Sequence, residues 1–293
     1  MSYFQFLAIF LVLPLALMAW LTISDLRQGR QLPGALGNLP YWLPLIVHVF
    51  IAVTYTTPWD NYLVATGVWY YNPELVTGIT LGWVPIEEYT FFVLQTLLTG
   101  LWLLFLARRI SEGRENLPNG TSLRWWSTAL LGVAWLASVG LLVSGWEPGT
   151  YLGLILGWAL PPIMLQTAFG ADLLWRHRRL VGLTLTSVTL YLSAADTLAI
   201  GEWGTWTIDP GQSLNIFVAG LLPVEELIFF LMTNILIVFG MTLALELESR
   251  LRVRALWKFL RIRWGRKDRP SNDLPLAVGD RLPAKQRRRT TME

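Results

Sequence analysis

The chain has 293 residues, 54% of them hydrophobic and 15% charged, with a formal net charge of +3. The apolar residues fall in long runs rather than amphipathic stripes, which excludes a soluble globular domain and marks an integral membrane protein. There is no cysteine, there are only two histidines (His48 and His177), and neither a G-x-G-x-x-G nor a Walker loop occurs, so disulfides, a metal-ligand cluster and a tightly bound nucleotide are excluded and no cofactor is expected.

Seven runs suit helical crossings of about 20 residues: roughly 3–23, 41–57, 82–107, 125–145, 150–171, 180–200 and 213–245. The first lacks the basic start and small-x-small site of a signal peptide and is read as a span. His48, on the second, reads as a hydrogen-bonded packing residue. The last run is long enough to hold a short re-entrant piece before Pro223. Arg27 and Arg30 lie in the first loop, Arg108, Arg109, Arg114 and Arg124 in the third, Arg176, Arg178 and Arg179 in the fifth, and all other Lys and Arg follow Ser249. The positive-inside rule then gives a multi-pass protein of the cell membrane, N-terminus outside and C-terminus cytoplasmic. Glu74, Glu202 and Asp209 are expected to face outside water.

One segment occurs twice. Asp60, then Gly67-Val68-Trp69, then Pro85-Ile86-Glu87-Glu88-Tyr89-Thr90-Phe91-Phe92 is followed later by Asp196, Gly204-Thr205-Trp206 and Pro223-Val224-Glu225-Glu226-Leu227-Ile228-Phe229-Phe230. This order points to an internal duplication. The fold class expected is all-α: a polytopic membrane helical bundle of about seven transmembrane helices, two parallel pseudo-repeats of three helices joined by an extra helix. The organisation is a first repeat over 1–107, a linker with the extra helix over 108–149, a second repeat over 150–245 and a basic cytoplasmic tail over 246–293. The Asp-to-Pro connections, 60–84 and 196–222, then share the outer side. Their apolar parts, Leu75 to Val84 and Leu214 to Leu222, are too short to span and are expected to dip into the outer leaflet, buried against protein.

A helix opening at Pro85 or Pro223 loses no amide bond there, and Glu87, Glu88, Glu225 and Glu226 follow near the positive end of its dipole. Proline followed by acids is also ordinary helix-start grammar. An ionised side chain at membrane depth, however, costs several kcal/mol and is a functional candidate by default. Helical neighbours point about 100° apart, so one carboxyl of each pair should face a cavity and the other a structural partner. Desolvation penalises the charged form, so a carboxyl in apolar surroundings can stay protonated and act as a general acid. Phe91, Phe92, Phe229 and Phe230 offer faces that attract a cation, by about 0.5–2 kcal/mol per ring. Together these describe a dry site that protonates an apolar molecule and shelters the carbocation from water. Asp60 and Asp196 either orient or recharge the acids or cap helices. Trp69 and Trp206 are either cavity walls or headgroup-level belt residues.

The tail from Arg250 carries 14 of the 23 Lys and Arg. Leu251 to Trp264, with Trp257, Phe259 and Leu260, suits an interfacial helix on anionic lipid rather than nucleic-acid binding. The last stretch, with Pro270, Pro283 and Arg287 to Arg289, reads as disordered.

Pro58-Trp59-Asp60, Gly67-x-Trp69 and Pro-x-Glu-Glu-x-x-Phe-Phe, with the second set after Asp196, resemble the membrane-integral lycopene cyclases of carotenoid biosynthesis. In that family two small related subunits form a heterodimer or are fused into one chain, and this chain looks like the fused form over about residues 1–245. The resemblance implies lycopene or a related carotenoid as substrate and Glu87, Glu88, Glu225 and Glu226 as the acidic motif, with Asp60 and Asp196 beside them. Pro85, Phe91, Phe92, Trp69, Pro223, Phe229, Phe230 and Trp206 would bind substrate. The implied reaction protonates C2 of an acyclic end group, joins C1 to C6 and releases the C6 proton, giving β-ionone rings with no net redox change. Neither the phytoene synthase activity of the fungal members nor the dinucleotide fold of flavin-dependent cyclases is expected. A cyclase of C50 carotenoids or ε rings, a proton-coupled transporter and a pigment-binding protein stay open as alternatives, as does contact with other carotenoid enzymes.

Overall fold

The computed structural model describes residues 1–110 and 120–265, without the side chains of 259, 260 and 262–265. Arg114, the stretch beyond Gly265 and the side chains of Phe259, Leu260 and Trp264 lie outside the described residues. Seven helices are long and apolar enough to cross a membrane: α1 (Tyr3–Arg27), α2 (Trp42–Ala65), α3 (Ile86–Ala107), α4 (Gly120–Val143), α5 (Thr150–Arg176), α6 (Arg178–Leu198) and α7 (Val224–Leu245). They fall on the seven expected runs, and the chain is an all-α polytopic bundle. An eighth helix, α8 (Leu247–Gly265), follows. Met1–Leu251 form one compact unit, and the described residues from Arg252 onward belong to a second.

Helix α3 packs on α1 and α2, and α7 on α5 and α6. The two groups meet where α3 touches α6 and α7, and where α7 touches α2. Between these helices lie the two layers of the core, one around Tyr3, Trp69, Phe91, Tyr151 and Phe229, the other around Leu45, Leu103 and Met241. Helix α4 packs on α5, and Ser138 is its one buried residue.

Small strands occupy the Asp-to-Pro connections: β1 (Trp69–Tyr71), β2 (Thr80–Leu81), β3 (Val84–Pro85), β4 (Trp206–Ile208), β5 (Phe217–Val218) and β6 (Leu222–Pro223). Strands β1 and β4 pair antiparallel about the central couple Tyr70 and Thr207, with Trp69 opposite Ile208 and Tyr71 opposite Trp206. The hairpins β2–β3 and β5–β6 each close on the proline that opens the next helix. The backbone amides of Ile86 and Val224 donate back to Ile79 and Ile216 at 3.0 and 2.8 Å.

Two expectations need correction. The apolar connections are not buried against protein, because Ile79, Leu81, Trp83, Ile216, Phe217 and Leu221 are exposed. Hairpin pairing satisfies their backbone locally, so burial is not required to do so. Asp60 and Asp196 do not sit where their spans end: α2 runs on to Ala65, and a π-helical turn, Ala199–Trp203, prolongs α6. The glycines of both Gly-x-Trp triplets then stop these helices with positive φ, 72° at Gly67 and 56° at Gly204, a conformation that a side chain disfavours. Each turn sends the following tryptophan back over the helix ends.

Candidate active site

Each carboxylate pair splits as helical geometry requires. Pro85 and Pro223 are the extended residues just before α3 and α7, so the glutamates fall in the first turn. Glu87 Oε1 accepts the Thr77 amide at 2.6 Å. Glu225 Oε1 accepts the Leu214 amide at 2.7 Å and the Ser213 hydroxyl at 3.0 Å. These two acids tie the hairpin segments to the helices.

Glu88 and Glu226 turn the other way. Tyr3 donates to Glu88 Oε2 at 2.6 Å and Tyr71 to the same oxygen at 3.1 Å, while Tyr151 donates to Glu226 Oε1 at 2.7 Å. Tyr3 and Tyr151 open α1 and α5, and their amides dock on the carbonyls of Leu75 and Gln212 at 2.8 and 3.0 Å. Ser2 and Gln5 form a capping box that fixes the start of α1.

Both inward glutamates line one chamber, with Trp69, Phe91, Asp196, Trp206, Phe229 and Phe230. The aromatic wall is interlocked. Tyr3 meets Trp206 at 4.9 Å and Tyr151 meets Trp69 at 5.4 Å, while Phe91 meets Phe230 at 6.2 Å. Trp69 and Trp206 are therefore cavity walls. Asp60 is fully buried, and neither of its oxygens has a hydrogen-bond partner among the described residues. Phe92 lines a neighbouring cavity of about 320 Å³ with His48, Tyr55, Gln95 and Trp158, and Phe229 belongs to both. A further cavity of about 260 Å³ lies across the bundle beside Met18, Leu98 and Tyr191. His48 bonds its own helix through the Pro44 carbonyl at 2.7 Å.

Tyr3 and Tyr151 escaped the sequence reading, whereas Tyr70-Tyr71 marks the first Gly-x-Trp copy alone. A signal existed for both, since Ser2-Tyr3 and Thr150-Tyr151 stand at matching places at the start of the first span of each half. Outside the spans, burial beside Asp60 and Glu88 pushes the Tyr71 phenol well above its ordinary value.

Buried acids facing aromatic walls suit chemistry through a cation, and similarity to known proteins narrows it. The lycopene beta-cyclases of two strains of Halobacterium salinarum are each 36% identical over 251 residues, covering 86% of this chain and 99% of the relative. The chain belongs to the lycopene beta-cyclase family. A bifunctional lycopene cyclase/phytoene synthase of Podospora anserina is 39% identical over 204 residues, 67% of this chain and 34% of that protein. No family model and no solved structure match.

Proposed function

We propose that the chain is a lycopene beta-cyclase, which closes the acyclic end groups of lycopene into β-ionone rings, through γ-carotene to β-carotene. The observation that carries this reading is the convergence of Glu88 and Glu226, from two copies of one motif, on a single aromatic chamber. A carboxyl group adds a proton to C2, the C1 cation is attacked by the C5=C6 alkene, and a carboxylate removes the C6 proton. Proton in and proton out balance, so the reaction needs no oxidant. Trp69, Trp206, Phe91, Phe229 and Phe230 stabilise the cation by about 0.5–2 kcal/mol per well-placed ring and keep out the water that would trap it as an alcohol. Glu87 and Glu225 hold the hairpins, and Asp60 and Asp196 back the working acids.

Lycopene reaches this site sideways from lipid. The crevice beside Phe92 lies between α2, α3, α5 and α7 and shares Phe229 with the chamber. The chamber has only about 30 Å³ of free space, so an end group must displace aromatic side chains to reach the acids.

Residues 1–107 and 150–245 act as two parallel repeats, joined by 108–149 and followed by the basic tail 246–293. The reciprocal Tyr–Trp contacts and the central couple of β1 and β4 support this division. The chamber lies at the membrane's outer side: Arg27, Arg108 and Arg176 stand at the opposite ends of α1, α3 and α5, as basic residues on a cytoplasmic face do. The tail's cations meet anionic lipid headgroups there.

Expression in a lycopene-accumulating bacterial host tests the reading. Cyclised pigment is expected, and unchanged lycopene beside a well-expressed, membrane-inserted protein would refute it.

A further inference from the structure

We infer that the two inward carboxyl groups have different jobs: Glu226, held by one tyrosine on the wall it shares with Asp196, delivers the proton to C2, and Glu88, held by two tyrosines, collects the proton from C6. This assignment rests on the cyclase reading above.

The two acids come from equivalent places in the repeated motif, yet their surroundings differ. The Asp196 carboxyl lines the chamber together with that of Glu226, and both are buried, 1% and 3% exposed. The Glu226 carboxyl has a single phenol partner, Tyr151. Two carboxyl groups buried on one apolar wall with so little hydrogen bonding do not both ionise, because desolvation and like charge each penalise the second charge. A proton is therefore stored at this side of the chamber.

On the other side, Glu88 Oε2 receives two phenol donors, Tyr3 and Tyr71. One phenol could accept from a protonated carboxyl. Two phenols donating to one oxygen suit the carboxylate, whose charge they stabilise. Asp196 lines the chamber with Glu226, whereas Asp60, equally buried, is not among the lining residues. The asymmetry is written in the sequence: four residues after Gly67 stands Tyr71, and four after Gly204 stands Ile208, which has no donor to give.

The proton count closes. Glu226 gives its proton to C2, the C1–C6 bond forms, and the C6 proton passes to Glu88. Once product leaves, Glu88 holds the proton that the Glu226 pair has lost. The chamber touches both acids, and its 30 Å³ of space admits one water to carry the proton back.

The test uses the full chain, purified in lipid nanodiscs and given lycopene in deuterated buffer, with carotenoids read by mass spectrometry and chromatography. Wild type should place one deuterium on each ring formed; no conversion by wild type refutes the cyclase reading itself. Glu226→Gln should leave lycopene unconverted and free of deuterium, about 10²–10⁴-fold below wild type. Glu88→Gln should still deliver deuterium, seen in recovered lycopene after reversal or in rings whose double bond is displaced because another proton is lost. Tyr71→Phe repeats that arm should Glu88→Gln not elute as a folded protein: deuterium delivery persists and displaced double bonds increase. Asp196→Asn should slow deuterium delivery without displacing the double bond. Deuterium uptake surviving in Glu226→Gln, or abolished in Glu88→Gln and in Tyr71→Phe, would overturn the assignment.

Discussion

Gln95 of α3 donates its side-chain amide to the Thr233 hydroxyl of α7 at 2.9 Å, and the two residues hold the same position in the two copies of the repeated motif. Equivalent residues meet one another only near an axis that relates their helices, as in an isologous interface. The site above them is built in the same reciprocal way.

Glu87→Gln should lower cyclisation far less than Glu88→Gln, because the amide oxygen still accepts the Thr77 backbone N–H. Glu87→Ala leaves that donor unpaired and should cost about 1–3 kcal/mol of stability. Pigment conversion and thermal aggregation of the two Glu87 variants, measured side by side, check this.

Arg109→Ala should destabilise the end of the bundle remote from the chamber. Its guanidinium grips Asp25 through two bonds of 2.7 Å and lies over the Phe105 ring. Losing the pair leaves a buried carboxylate with only the longer contact to Arg30, at 3.6 Å, which costs about 1.5–3 kcal/mol. The melting temperature should fall, and adding Asp25→Asn should recover part of the loss.

Gly240→Leu should prevent α7 from seating. A side chain there would run into the His48 imidazole and meet Gln166, so α2 and α5 would be forced apart from α7, at about 1–3 kcal/mol or more. Folded yield by size-exclusion chromatography should drop, with Gly240→Ala intermediate.

Tyr71 sets an alkaline limit. Its phenol is raised by burial first, then by Asp60 and Glu88. A raised group contributes stability that is present below its unfolded value, about 10, and is lost as pH rises above it. Wild type should therefore lose stability above about pH 10 more steeply than Tyr71→Phe. The ultraviolet phenolate band should show one fewer late-titrating group in the variant.

The spans and the repeated acids were legible because a carboxyl in an apolar run has no cheap explanation. The split within each pair was legible too, from the angle between successive helical residues. The partners were not. Tyr3 reaches Glu88 only because α1 packs on α3 and its amide docks on Leu75, a contact between distant parts of the chain. The hairpins were misread as buried irregular backbone, although Gly82-Trp83 between β2 and β3 is a two-residue turn with glycine first, a known hairpin signal.

Helix α4 packs on α5, and Ser138 alone of its residues is fully buried. The contacts that join α3 to α7 and β1 to β4 do not pass through it. If 108–149 is a linker between two repeats, α4 would act by mass action, keeping them at high effective concentration rather than supplying the surface by which they meet. Two polypeptides made separately, divided between Ile110 and Gly120, would have the same surfaces to find one another within a membrane.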